Sequence, residues 1–195
     1  MAIGRPRNFD KNEVLDRALQ VFWRKGFEGA SICDLTEAMG INPPSLYAAY
    51  GNKETLFRQA LDRYTETRGA VIREALAALK ARDGIATLLR GSARALTDKS
   101  NPACCLLVQG ISGAGEHAAC IRDMLNAKRA GSEKDIRERL KRAKVEGELP
   151  RDADPAGLAR YFSTVIQGMA VQAAGGASRR ELERVAEMAL RAWPG

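Results

Sequence analysis

With 195 residues, 45% of them hydrophobic and 28% charged, the chain has ample apolar material for a packed core, as one large domain or two small ones, and is not disordered throughout. No run approaches about 18 consecutive apolar residues, and the opening MAIGRPRNF has basic residues with no apolar segment after them; neither a membrane span nor a signal peptide is supported, and a cytoplasmic protein without a membrane partner is expected. The net charge of +7 does not by itself mark a nucleic-acid surface, because residues 1–64 hold 9 Lys and Arg against 8 Asp and Glu, whereas residues 65–195 hold 22 against 16.

Gly4-Arg5-Pro6-Arg7 reads either as a mobile basic arm, since Gly and Pro resist helix formation, or as a plain tail. From Asp10 onward, Val14, Leu15, Ala18, Leu19, Phe22 and Trp23 form an i, i+3, i+4, i+7 stripe that needs a core to cover it, and Gly26 ends this first helix. Ser31 then N-caps a short helix in which Ile32, Leu35 and Met39 recur at helical spacing and which Gly40 closes. Asn42 is a second N-cap, and Pro43 fits the first helical position, where a missing N–H costs nothing, so a third helix opens about three residues after the second closes. Two short helices joined by a tight Gly-containing turn form the helix-turn-helix pattern, whose second helix enters a DNA major groove. Arg5, Arg7 and Lys11 precede the first helix and Lys53 follows the third, each placed to meet a phosphate.

Gly51-Asn52 breaks the pattern, and a fourth helix is expected from Lys53 to about Ala81, with Leu56, Ala60, Tyr64, Val71, Ala75 and Leu79 along one side. From Arg82 onward every apolar run has helical period and none alternates as a half-buried strand does. Helices are expected over Ile85–Leu96, from Cys104 to about Ser112 and from Glu116 to about Val145. Asp154-Pro155 opens another to about Ala174, and the Ser178/Glu181 capping box opens the last, to about Trp193. The chain is therefore read as all-α, with about nine helices.

The last two helices carry more apolar surface than one face needs: Leu158, Tyr161, Phe162, Val165, Ile166 and Met169 on one, Leu182, Val185, Ala186, Met188, Ala189 and Trp193 on the other. Such excess marks an interface, here the four-helix contact of a two-fold homodimer; the alternative is that these residues complete the protomer's own core. The four cysteines (Cys33, Cys104, Cys105, Cys120) and the lone His117 form no CxxC pair and no His cluster, so no metal site is expected and reduced thiols are the default. Without paired carboxylates, a Ser/His/Asp set or a phosphate loop, no catalytic residue is assigned and an enzyme is not expected.

The pieces VLDRALQVFWRKGFEGASICDLTEAMGI and NPPSLYAAYGNKETLF, with the long helix after them, resemble TetR-type one-component transcriptional repressors, and the resemblance extends along nearly the whole chain. It is carried by the first-helix stripe, Gly26, the hydroxyl of Ser31, Gly40, Ser45-Leu46-Tyr47, Tyr50 and Lys53 at fixed spacing. CCLLVQG also looks like a short mid-chain motif of a TetR subgroup. The resemblance implies a DNA-binding head over residues 1–52 and a ligand-binding and dimerisation domain over residues 53–195. It also implies repression by a homodimer on a pseudo-palindromic double-stranded operator, released when a small-molecule inducer binds the C-terminal helices.

On the same ground, Ser31 and Lys53 would contact phosphates, and Asn42, Pro44, Ser45, Tyr47 and Tyr50 would face the groove or its walls. For Leu46 packing within the head is preferred, and for Tyr50 it is the alternative. Ala48 and Ala49 are smaller than the residues often found there, which shifts weight to apolar contacts, the Arg5/Arg7 arm and DNA shape. No cofactor is expected apart from the unidentified inducer. Tyr64, Leu88, Leu106, Met124 and Tyr161 are candidates for lining its cavity, with ordinary core packing as the alternative. His117 is a candidate polar contact or pH-sensitive group, or else structural. Adjacent Cys104 and Cys105 are read either as a thiol sensor for oxidants and electrophiles or as small apolar residues.

Overall fold

The computed structural model describes residues 10–109 and 118–194, and among these every regular element is a helix. In chain order they are α1 (Lys11–Gly29), α2 (Ile32–Met39), α3 (Pro43–Tyr50), α4 (Lys53–Leu76), α5 (Ala81–Leu96), α6 (Leu106–Gln109), α7 (Ala118–Val145), α8 (Pro155–Ala174) and α9 (Arg179–Leu190). The all-α reading with about nine helices agrees with this. Several bounds differ: α1 continues past Gly26 to Gly29, α4 stops at Leu76 instead of near Ala81, α5 starts at Ala81 instead of Ile85, the described helix in the Cys104 segment covers Leu106–Gln109, and α9 ends at Leu190 instead of near Trp193.

Contacts divide the chain between Tyr64 and Thr65. The division falls inside α4 and not at residue 52, because the start of α4 belongs to the core of the first unit. Phe57 meets Phe22 and Phe27 edge-on, with ring centroids 5.0 and 5.3 Å apart, and Tyr64 meets Trp23 at 5.0 Å. Such pairs contribute roughly 0.5–1.5 kcal/mol each beyond the area they bury. Leu35, Met39 and Leu46 complete this core from α2 and α3. α1 bends at Gly26, whose φ of 69° is a left-handed conformation that favours glycine, and beyond the bend Phe27 stacks on Phe22. Arg63 grips Asp16 with two bonds, Nε to Oδ1 at 2.9 Å and Nη2 to Oδ2 at 3.0 Å, fastening α4 to α1.

The second unit is organised by α5, α7, α8 and α9, with Ile85, Leu89, Leu140, Phe162 and Ala186 fully buried among them. Caps match the sequence signals: Asp154 Oδ1 accepts from Ala156 N–H at 3.0 Å, and Ser178 and Glu181 bond each other's backbone N–H groups. The early end of α4 has a packing cause. A Cβ at Gly84 would lie 2.6 Å from the carbonyl oxygen of Ala75, so α5 turns back against the backbone of α4 at van der Waals contact. Arg139 of α7, nearly fully buried, secures that corner by donating to the carbonyls of Ala78 (3.3 Å) and Leu79 (3.1 Å) and to Glu148 Oε1 (3.0 Å). Glu148 Oε2 in turn accepts from Ala81 N–H at 2.6 Å, at the first residue of α5.

Candidate nucleic-acid interface

The short helices α2 and α3 are set by three local devices. Ser31 caps α2: its hydroxyl accepts from Asp34 N–H and its own N–H donates to Asp34 Oδ2, both at 3.0 Å. Gly40 closes α2 at φ 68°, ψ 31°, and the N–H groups of Gly40 and Ile41 return to the carbonyls of Glu37 and Thr36. Asn42 then caps α3 by accepting from Ser45 N–H at 2.9 Å, which leaves its side-chain NH2 available as a donor at an exposed position. The turn between the helices is thus fixed by backbone chemistry.

Lys25 of α1 pairs with Asp34 at 2.7 Å, and this bond, followed by the Ser31 contacts, holds the Asp34 carboxyl down at about 2. The pairing also neutralises the acid nearest the candidate phosphate contact at Ser31.

Lys53 occupies the first position of α4, which Asn52 caps by accepting from Thr55 N–H at 2.8 Å. A cation there opposes the helix dipole, whose positive end lies at the N-terminus. It is held by the Phe27 ring, with Nζ 4.5 Å from the centroid. Burial lowers its pKa while Glu28 acts the other way. The helix N-terminus and the ammonium both favour an anion.

Leu46 lies fully inside the head, and the outward face of α3 carries Pro44, Tyr47, Ala48 and Ala49, with Ser45 half-buried beside them. Tyr47 is 48% exposed. Tyr50 is not on that face. It is 6% exposed, its hydroxyl is buried without a hydrogen-bond partner, and burial raises its pKa, so the groove-facing assignment is corrected to a packing role. Arg5 and Arg7 lie outside the described residues.

The other candidates separate in the same way. Tyr64 packs on Trp23 in the head. Leu88 and Leu106 are buried in the second unit and Met124 is half-buried, while Tyr161, expected in a cavity, is 39% exposed on α8. Cys104 and Cys105 are half-buried; Cys104 donates to Gln109 Oε1 at 3.0 Å and Cys105 packs on the core. His117 lies outside the described residues. Among the proposed dimer residues, Phe162, Met169, Leu182 and Ala189 are buried within the protomer and are corrected to core, because α8 and α9 turn these positions toward α5 and each other. Leu158, Val165, Ile166 and Trp193 are half-buried, and Val185 is 42% exposed. Val171, 56% exposed, and exposed Gly168 extend the outer stripe of α8 and were missed; the available signal was Gly168 at i+7 from Tyr161 and i+3 from Val165, with Val171 three residues further on.

A capped helix-turn-helix followed at once by a long helix is the arrangement of a DNA-binding regulator. The family model described as "Bacterial regulatory proteins, tetR family" matches residues 14–60, and "Tetracyclin repressor-like, C-terminal domain" matches residues 81–189. The chain belongs to the TetR family. It is 35% identical to the HTH-type transcriptional repressor ComR of Escherichia coli K12, over 98% of this chain and 92% of the relative, and 30% identical to BdcR of the same organism, over 95% and 90%. Among solved structures, a cysteine-substituted CifR, a TetR family regulator complexed with 26-bp operator DNA, superposes with a TM-score of 0.94 at 45% identity, covering 98% of this chain and all of that one.

Proposed function

We propose that this protein is a sequence-specific transcriptional repressor that binds a pseudo-palindromic operator as a homodimer through α3 and leaves it when a small molecule occupies the C-terminal unit. The carrying observation is the pairing of an exposed α3 face with Lys53 at the α4 N-terminus, a reading edge beside a phosphate anchor. Resemblance to repressors over nearly the full chain supports the same reading, as does the operator complex of the related CifR. The remaining apolar stripe of α8 and α9, with Val171 and Val185, supplies the dimer contact. Fluorescence anisotropy on DNA from upstream of the protein's own gene, against random duplex, tests the proposal. The expected preference is on the order of 10³ or more at physiological salt. Equal weak affinity for both duplexes overturns it.

A second reading is thiol sensing by Cys104 and Cys105, favoured by two adjacent half-buried thiols at the entrance to α6. Replacing both by Ser abolishes oxidant-triggered DNA release if they sense, and leaves it intact if they pack.

A further inference from the structure

A groove of about 620 Å³ runs between α5 and α9 in the second unit. Arg90 and Arg94 line it from α5, Arg180 and Arg184 from α9, and Arg191 from the C-cap of α9. On α9, positions 180, 184 and 187 recur at i, i+4 and i+7, and the αR C-cap residue 191 continues the series at i+11, so they share one side, as positions 90 and 94 do on α5. The two faces meet because α5 packs against α9.

The arginines face two carboxylates, Glu183 and Glu187. Arg90 Nε donates to Glu187 Oε1 at 2.7 Å, and that bond, reinforced by the charges of Arg90, Arg82 and Arg191, holds the Glu187 carboxyl below its usual range. Arg94, Arg180, Arg184 and Arg191 form no salt bridge among the described residues. Like charges at i, i+4 repel, so the groove carries a field that an anion relieves. Met188, 66% exposed, adds an apolar wall.

We propose that the α5–α9 groove binds a small polyanionic metabolite carrying at least two phosphate or carboxylate groups, at a site separate from the DNA-binding head. Guanidinium forks grip such oxyanions bidentately. Because the arginines come from two helices, a ligand charged at both ends engages both.

Isothermal titration of the full-length protein with pyrophosphate, and separately with citrate, tests the site. Saturable binding at one ligand per chain is expected, with loss of about tenfold or more in Arg94→Ala and in Arg180→Ala, the scale of one charged hydrogen bond. Lys53→Ala, which alters the head, keeps the binding; binding of pyrophosphate alone narrows the ligand to phosphates and of citrate alone to carboxylates. Circular dichroism and sedimentation verify that the variants fold. Five results overturn the proposal: no saturable binding of either probe in the millimolar range, arginine variants that bind like the parent, loss in Lys53→Ala instead, a duplex that displaces the probe from Lys53→Ala, or dissociation of the dimer by Arg180→Ala without any probe.

Discussion

Replacing Arg139 by Met tests the corner between α4 and α5. Met matches the aliphatic stem of Arg and removes the guanidinium, and with it the bonds to Ala78, Leu79 and Glu148. The Leu79 and Ala78 carbonyls can recover water, because Leu79 is 93% exposed and Ala78 half-buried. The cost therefore concentrates on Glu148, whose side chain is only 22% exposed and loses its cation. Breaking a buried pair from one side costs about 3–5 kcal/mol, and the retained Ala81 N–H bond places this case near the lower end, about 3 kcal/mol. For a chain of this size that corresponds to a fall in Tm of roughly 6–12 °C.

The double variant Arg139→Met/Glu148→Gln leaves no unpaired charge and keeps an oxygen for Ala81 N–H, so it is expected to cost less than the sum of the single variants by about 1–3 kcal/mol. Urea denaturation of all four proteins at one concentration measures this cycle. Burial alone would raise the Glu148 pKa, but the Ala81 and Arg139 bonds outweigh it and the net direction is down. The pair's contribution is thus present above the unfolded value and disappears as pH falls through the folded one. The gap between parent and Arg139→Met should close in acid accordingly. A cost under about 1 kcal/mol for the single variant, or strict additivity in the double, refutes the assignment of the corner to this pair.

Gly84→Ala should destabilise by about 1–3 kcal/mol in urea, because its methyl meets the Ala75 carbonyl, a backbone atom that cannot swing aside. Lys53→Ala should weaken operator and random DNA alike and reduce the slope of log K against log salt by about 1, read by anisotropy across a salt series. Asp34, held at about 2 against an ordinary 3.8, contributes stability above the ordinary value that disappears as pH falls toward 2; Asp34→Asn should flatten that acid limb in melting curves. Val185→Glu should give monomers with weak operator affinity in analytical ultracentrifugation, since it places charge on the exposed stripe of α9.

The head was largely legible because its turns depend on local chemistry. Ser31, Gly40, Asn42 and Pro43 declare caps and termini whatever surrounds them, and the structure uses them so. Apolar side chains are less explicit. Periodicity places Tyr50, Phe162 and Met169 on a helix face, but whether that face meets its own chain or a partner depends on long-range packing. Tyr64 shows the same limit: its spacing fits the long helix, and the Trp23 contact places it in the head. Arg139 was lost among the charges of α7, where nothing local distinguishes the arginine that is nearly fully buried.

The exposed thiol of Cys33 sits in the first turn of α2, two residues from Ser31. Any bulky adduct there would obstruct the approach of a phosphate backbone and detach the protein from DNA by simple blockage. A reagent screen would score that blockage as sensing, although no signal had crossed the molecule. Trials of Cys104 and Cys105 therefore belong in a Cys33→Ser background, and the same thiol, labelled with a small fluorophore, becomes a reporter of operator docking.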